Sequence, residues 1–74
     1  MKRVPVRSTA IRSAAYDREA AVLEIEFITR LVYQYQRVPR ALFRALMAAK
    51  SKGRFFNEKI KDHFAAKLIS GQPA

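Results

Sequence analysis

Two groups of residues in the middle of this chain have the types and spacing that hold anions and flat rings. The first is Tyr33-Gln34-Tyr35 with Arg37, Arg40 and Arg44 behind it, and the second is Ser51-Lys52-Gly53-Arg54-Phe55-Phe56-Asn57 with Lys61 beyond. Guanidinium and ammonium groups neutralise phosphates, so Arg37, Arg40, Arg44, Lys52, Arg54 and Lys61 are candidate phosphate contacts. Aromatic rings stack on unpaired bases, each for roughly 1 to 3 kcal/mol, so Tyr33, Tyr35 and Phe55 are candidate stacking residues. Ser51, with the backbone N–H groups around Lys52 and Gly53, is a candidate anion site where a second helix starts. Each has a plainer reading. Tyr33 and Tyr35 share parity with Leu31 and so fall on the strand face that meets a core. The cations can be a solvated surface, and Asn57 can bond nearby backbone to fix the joint between two helices.

Catalysis finds no apparatus. A nucleophile needs a base beside it, and hydrolysis by paired carboxylates needs two acids in unlike environments. Ser51 and Lys52 are neighbours whose side chains diverge, while Glu24 and Glu26 share one strand face where both stay ionised. Ser51-Lys52-Gly53 lacks the glycine loop that precedes a nucleotide-binding lysine. His63 is the sole histidine, there is no cysteine, and no ligand at metal spacing accompanies it. Neither metal nor cofactor is expected, and the chain reads as a binding module rather than an enzyme.

Composition agrees. Fifteen Lys and Arg against six Asp and Glu give the 74 residues a net charge of +9, a field that draws polyanions. The acids Asp17, Glu19, Glu24 and Glu26 come early, whereas from Arg30 to Lys61 the only acid is Glu58. The basic half thus coincides with the aromatic block, and nucleic acid is the expected partner, with docking on an acidic protein or self-association through the open sheet face as the alternative. Half the residues are apolar, enough for one folded domain whose stability must come from packing without disulfides. No apolar run approaches the roughly 20 residues of a membrane span. Met1 to Ala15 is rich in Arg and Ser like a transit peptide but is read as a basic lead-in to a strand, so a cytoplasmic location is expected.

The elements that must position these groups are strands first and helices second. Residues 1–7 form a basic arm broken by Pro5, and Ser8 to Tyr16 reads as a strand anchored by Ile11. Asp17-Arg18-Glu19 is a turn signal. Leu23-Glu24-Ile25-Glu26-Phe27 alternates strictly, and Leu31 to Gln36 pairs back on it with Gln34 and Gln36 beside the two glutamates. Pro39 then opens a helix over Ala41 to Lys50, with Leu42, Phe43, Leu46 and Met47 on its apolar face. Ser51 caps a second helix, which places Phe56, Ile60 and Phe64 on one stripe and ends near Lys67 and Leu68. The expected fold is α+β: a three-stranded antiparallel sheet with two helices on one face, order β-β-β-α-α. It spans residues 8–69, with 70–74 as a tail.

The ordered blocks Ser8-Thr9 with Ile11, Tyr16-Asp17, Leu23 to Phe27, Tyr33-Gln34-Tyr35, Val38-Pro39, and Ser51 to Asn57 with Ile60-Lys61 resemble the KTSC domain family. This small module occurs at the C-terminus of some lysyl-tRNA synthetases and as free-standing bacterial and phage proteins. The resemblance runs from about Ser8 to Phe64 and implies the fold. The family has no established activity, and RNA binding is the suggestion attached to it. One departure stands out: where the family usually has Gly, three residues after the second strand's Phe, this chain has Arg30. That implies a changed turn or local strain of about 1 kcal/mol.

Overall fold

A computed structural model describes residues 3–71. Five strands form one antiparallel meander, β1 (Val4–Pro5), β2 (Ile11–Asp17), β3 (Val22–Phe27), β4 (Val32–Tyr35) and β5 (Ala66–Ser70), in spatial order 1-2-3-4-5. Between β4 and β5 the chain makes α1 (Arg40–Ala48) and α2 (Lys52–Phe55), the latter running on into a π-helical turn, Phe56–Ile60. The fold is α+β with two helices, but the sheet has five strands rather than three.

The alternation in β3 sends Leu23 and Ile25 inward, where they lie fully buried against Ile11, Ala14, Tyr35, Val38, Leu46, Phe56 and Ile60. α1 contributes Leu46, with Leu42, Phe43 and Met47 packed around it. Tyr16 stacks on Phe43 at 5.2 Å between ring centroids and donates its hydroxyl proton to the Val38 carbonyl at 2.6 Å. This ties the end of β2 to the segment that leads into α1.

The two extra strands have definite causes. Val4–Pro5 pairs with Ser13 and Ala14 at the sheet's edge, where a proline's missing N–H costs nothing because no further strand would receive it. The expected second helix does not reach Lys67 and Leu68. It stops at Ile60, the Lys61 N–H closes on the Phe56 carbonyl at 2.8 Å, and Asp62 turns the chain in the left-handed region at φ 66°. Residues 66–70 then satisfy the free edge of β4, pairing Tyr33 with Leu68 and Tyr35 with Ala66. The first strand also starts later than Ser8, whose hydroxyl accepts from the N–H groups of Ala10 and Ile11 at 3.1 Å each and makes a turn. Of the expected tail, Ser70 lies in β5, and residues 72–74, like 1 and 2 of the arm, lie outside the described residues.

Both hairpin turns read as expected from their residues. Asp17 accepts from the N–H groups of Glu19 (3.0 Å) and Ala20 (3.2 Å), fixing the β2–β3 turn. At the β3–β4 turn the Arg30 N–H bonds the Phe27 carbonyl and the Phe27 N–H bonds the Leu31 carbonyl, both at 2.9 Å. This three-residue loop needs a left-handed third residue, and Arg30 occupies it at φ 75°. The Arg30 guanidinium lies 3.9 Å from Glu26, an exposed contact that offsets little of that cost. Arg30→Gly should therefore raise stability by about 1 kcal/mol, read as a higher denaturant midpoint at unchanged slope.

Candidate functional site

The outer face of the sheet carries the two strand glutamates, and arginines surround them. Arg3 meets Glu24 at 2.7 Å and Glu26 at 3.7 Å, with Arg12 4.0 Å from Glu26. Gln34 donates to Glu24 at 3.0 Å, as the β3–β4 register places it. Burial would raise the Glu24 pKa, but hydrogen bonds from Gln34 and Arg3, with the Arg3 charge, outweigh it and hold the carboxyl below its ordinary value. The open face thus carries Glu24, Glu26 and Gln34 together as the strand parity implies, with arginines paired to the carboxylates.

The cations expected to make one basic surface are distributed. Arg40 and Arg44 are exposed on α1. Arg37 lies in a recess with Ala20, Gln36, His63 and Phe64. Arg54 pairs with Glu58 one turn on, at 3.0 Å. Lys52 and Ser51, by contrast, line a cleft of about 560 Å³ together with Arg7, Ser8, Thr9 and Lys50. Arg7 and Lys50 were not among the residues singled out from sequence. They meet because the turn before β2 packs on the start of α2. At Gly53 a Cβ would stand 3.2 Å from the Ala10 Cβ, a contact only glycine makes without displacing its neighbour. The Ser51 hydroxyl caps α2 by accepting the Arg54 N–H at 3.4 Å, and the Lys52 ammonium donates to the Ala49 carbonyl at 2.9 Å, leaving two of its protons for other acceptors. A helical segment this short has little dipole, so the cleft's pull on anions comes from its three cations.

A second concavity adjoins this cleft through Thr9. Its volume is about 530 Å³, and Phe27, Leu31, Tyr33, Tyr35 and Phe56 supply its apolar lining, with Gly53, Asn57 and Lys61 from the helical side. Tyr35 is core, as its parity implies. It is 6% exposed, with its ring edge-on to Phe56 at 5.4 Å. Tyr33 is half-buried and meets Phe27 edge-on at 6.1 Å. Phe55 is half-buried against the core, so its ring is only partly available. Among the described residues no three His, Asp or Glu side chains gather as a metal site, and no helix is long and apolar enough to cross a membrane.

Burial pushes the Tyr35 phenol up to about 12, with Tyr33 and the Asp62 carboxylate acting in the same direction. An unfolded tyrosine ionises near 10, so the folded chain holds this proton more tightly. The stability it contributes is complete below pH 10 and is lost as pH rises from 10 toward 12. Over that window the wild type should lose roughly 2 kcal/mol more than Tyr35→Phe, measured by denaturant unfolding at each pH.

The KTSC domain profile matches residues 7–64. An uncharacterised protein of Stutzerimonas stutzeri is 44% identical over 61 residues, covering 82% of this chain and 86% of its own length. A lysine–tRNA ligase of Nostoc punctiforme is 36% identical over 62 residues, which is 84% of this chain but 11% of the ligase. The crystal structure of a KTSC domain protein from Yersinia pestis superimposes with a TM-score of 0.91 at 42% identity, covering 93% of this chain and 97% of that one.

Proposed function

The chain belongs to the KTSC domain family, and from that premise we propose that it is a non-catalytic, cytoplasmic module that binds single-stranded nucleic acid, RNA ahead of DNA. The observation that carries this reading is the cleft where Arg7, Lys50 and Lys52 converge beside the hydroxyls of Ser8, Thr9 and Ser51. Three cations around hydroxyl donors suit a phosphate backbone, which needs charge neutralisation and several short hydrogen bonds at once. The net charge of +9 adds long-range attraction. Arg37, Arg40, Arg44 and Lys61 would extend the phosphate track, and Arg54 would join it on release from Glu58. The preference for RNA rests on the relative that is a lysine–tRNA ligase, an enzyme named for an RNA substrate.

Fluorescence anisotropy with labelled single-stranded RNA and DNA of equal length, across a salt series, tests this. Three phosphate contacts predict a slope of log K on log salt of about −2 for RNA. Absence of binding at moderate salt, or affinity indifferent to salt, would sink the proposal.

A second reading, docking of an acidic protein, is favoured by β5. It is an edge strand exposed along its whole length, and it presents Leu68 and Ile69 beside Lys67. Saturable binding to one protein at fixed stoichiometry, with weak salt dependence, would favour it over RNA.

A further inference from the structure

The concavity beside the basic cleft has walls that a phosphate track does not need. We propose that the groove between the β3–β4 turn and α2 is a subsite for one unstacked nucleobase of an RNA strand whose phosphates lie in the Arg7, Lys50 and Lys52 cleft. This inference rests on the RNA-binding reading above and adds a base to it.

Three observations carry it. First, the two concavities share Thr9, and α2 passes from one to the other, with Ser51 and Lys52 on the cleft and Gly53, Phe56 and Asn57 on the groove. The absent side chain at Gly53 lets the start of α2 pack closely on Ala10, which holds the two concavities side by side. A strand bound by its phosphates in the cleft therefore reaches the groove without leaving the surface. Second, the groove offers partly exposed ring surface from Phe27 and Tyr33, the kind of wall on which bases of any sequence stack.

Third, its polar atoms are unspent. Tyr35 is 6% exposed, and its hydroxyl makes no hydrogen bond among the described residues, yet it is not sealed from solvent. Tyr35 is among the residues that line this groove. The phenol keeps its proton through the physiological range and so remains a donor. The Tyr33 hydroxyl likewise makes no hydrogen bond among the described residues, and the Asn57 amide is exposed on the helical wall. An aliphatic side chain in this groove would strip water from these groups without replacing its hydrogen bonds. A base edge, carrying donors and acceptors in one plane, replaces them. Lys61 at the same wall supplies a cation for the flanking phosphate or a base carbonyl.

The test compares an eight-nucleotide oligoadenylate RNA with an abasic strand of the same length and charge. Each is titrated by anisotropy into the wild type, Asn57→Ala and Tyr33→Leu, with folding of each variant checked by circular dichroism. The wild type should bind the adenylate about tenfold more tightly than the abasic strand. Both variants should lose most of that preference while binding the abasic strand as the wild type does. Asn57 is exposed, so its variant keeps the test decisive if Tyr33→Leu unfolds. Equal affinity of the wild type for both strands would overturn the base subsite and leave the phosphate cleft standing. A preference for adenylate that survives in folded Asn57→Ala and Tyr33→Leu would place the base elsewhere and also overturn it. Failure of both strands to bind would remove the RNA reading itself.

Discussion

Ile60→Ala should cost about 3 kcal/mol, whereas Leu68→Ala, eight residues on, should cost under about 1 kcal/mol. Ile60 is fully buried beneath the sheet, and truncating it leaves a cavity among Ile25, Tyr35 and Phe56. Leu68 is 39% exposed on an edge strand, where it pairs with Tyr33. A domain of this size has only about 5 kcal/mol or somewhat more in total, so Ile60→Ala should lower the melting temperature by about 15 °C or more. Thermal unfolding by circular dichroism checks both. The contrast also tests chain path: had α2 continued through Phe64, Leu68 would sit on the Ile60 stripe, and the two losses would be alike.

The second large effect concerns binding. Replacing Arg7, Lys50 and Lys52 together by Gln should weaken RNA binding by about a hundredfold at low salt and bring the salt slope toward zero by about 2. Gln at position 52 keeps a donor for the Ala49 carbonyl, so the joint between α1 and α2 is preserved. Arg40→Ala with Arg44→Ala removes two exposed cations that line neither the cleft nor the groove, and it should cost less. Salt titrations of the two variants side by side give the comparison. If the α1 pair proves the more damaging, the phosphate track runs along that helix and not through the cleft.

Local pattern along the chain fixes some elements of the fold and leaves others hidden. Leu23 to Phe27 alternates with period two, and its inward and outward faces follow directly. Asp17 announces its own turn because its carboxylate bonds the backbone that follows. α1 is legible from Leu42, Phe43, Leu46 and Met47. β5 is not, since Ile60, Phe64 and Leu68 stand four apart and imitate a helical stripe. Their spacing carries no trace of the unpaired β4 edge that draws residues 66–70 into the sheet. β1 hides behind Pro5, a residue that bars central strands but suits an edge. The candidate site divides in the same way. Lys52, Ser51, Gly53, Tyr33, Tyr35 and Lys61 could be singled out by local type, and Lys50 is the chain neighbour of Ser51, whereas Arg7 joins them only through contact between segments more than forty positions apart. Ser8 was the available signal of a turn there, since a serine hydroxyl bonds the backbone that follows it, as it does with Ala10 and Ile11.

The meander has a consequence for how the molecule assembles. From β1 to β4 every strand pairs with the strand just before or after it along the chain, so each closure spans a short loop and loses little chain entropy. Only β5 must wait for the helices to be laid down before it can find β4. Such a topology favours rapid collapse around the β2–β3–β4 centre, with the last strand docking as a separate, late and easily reversed event.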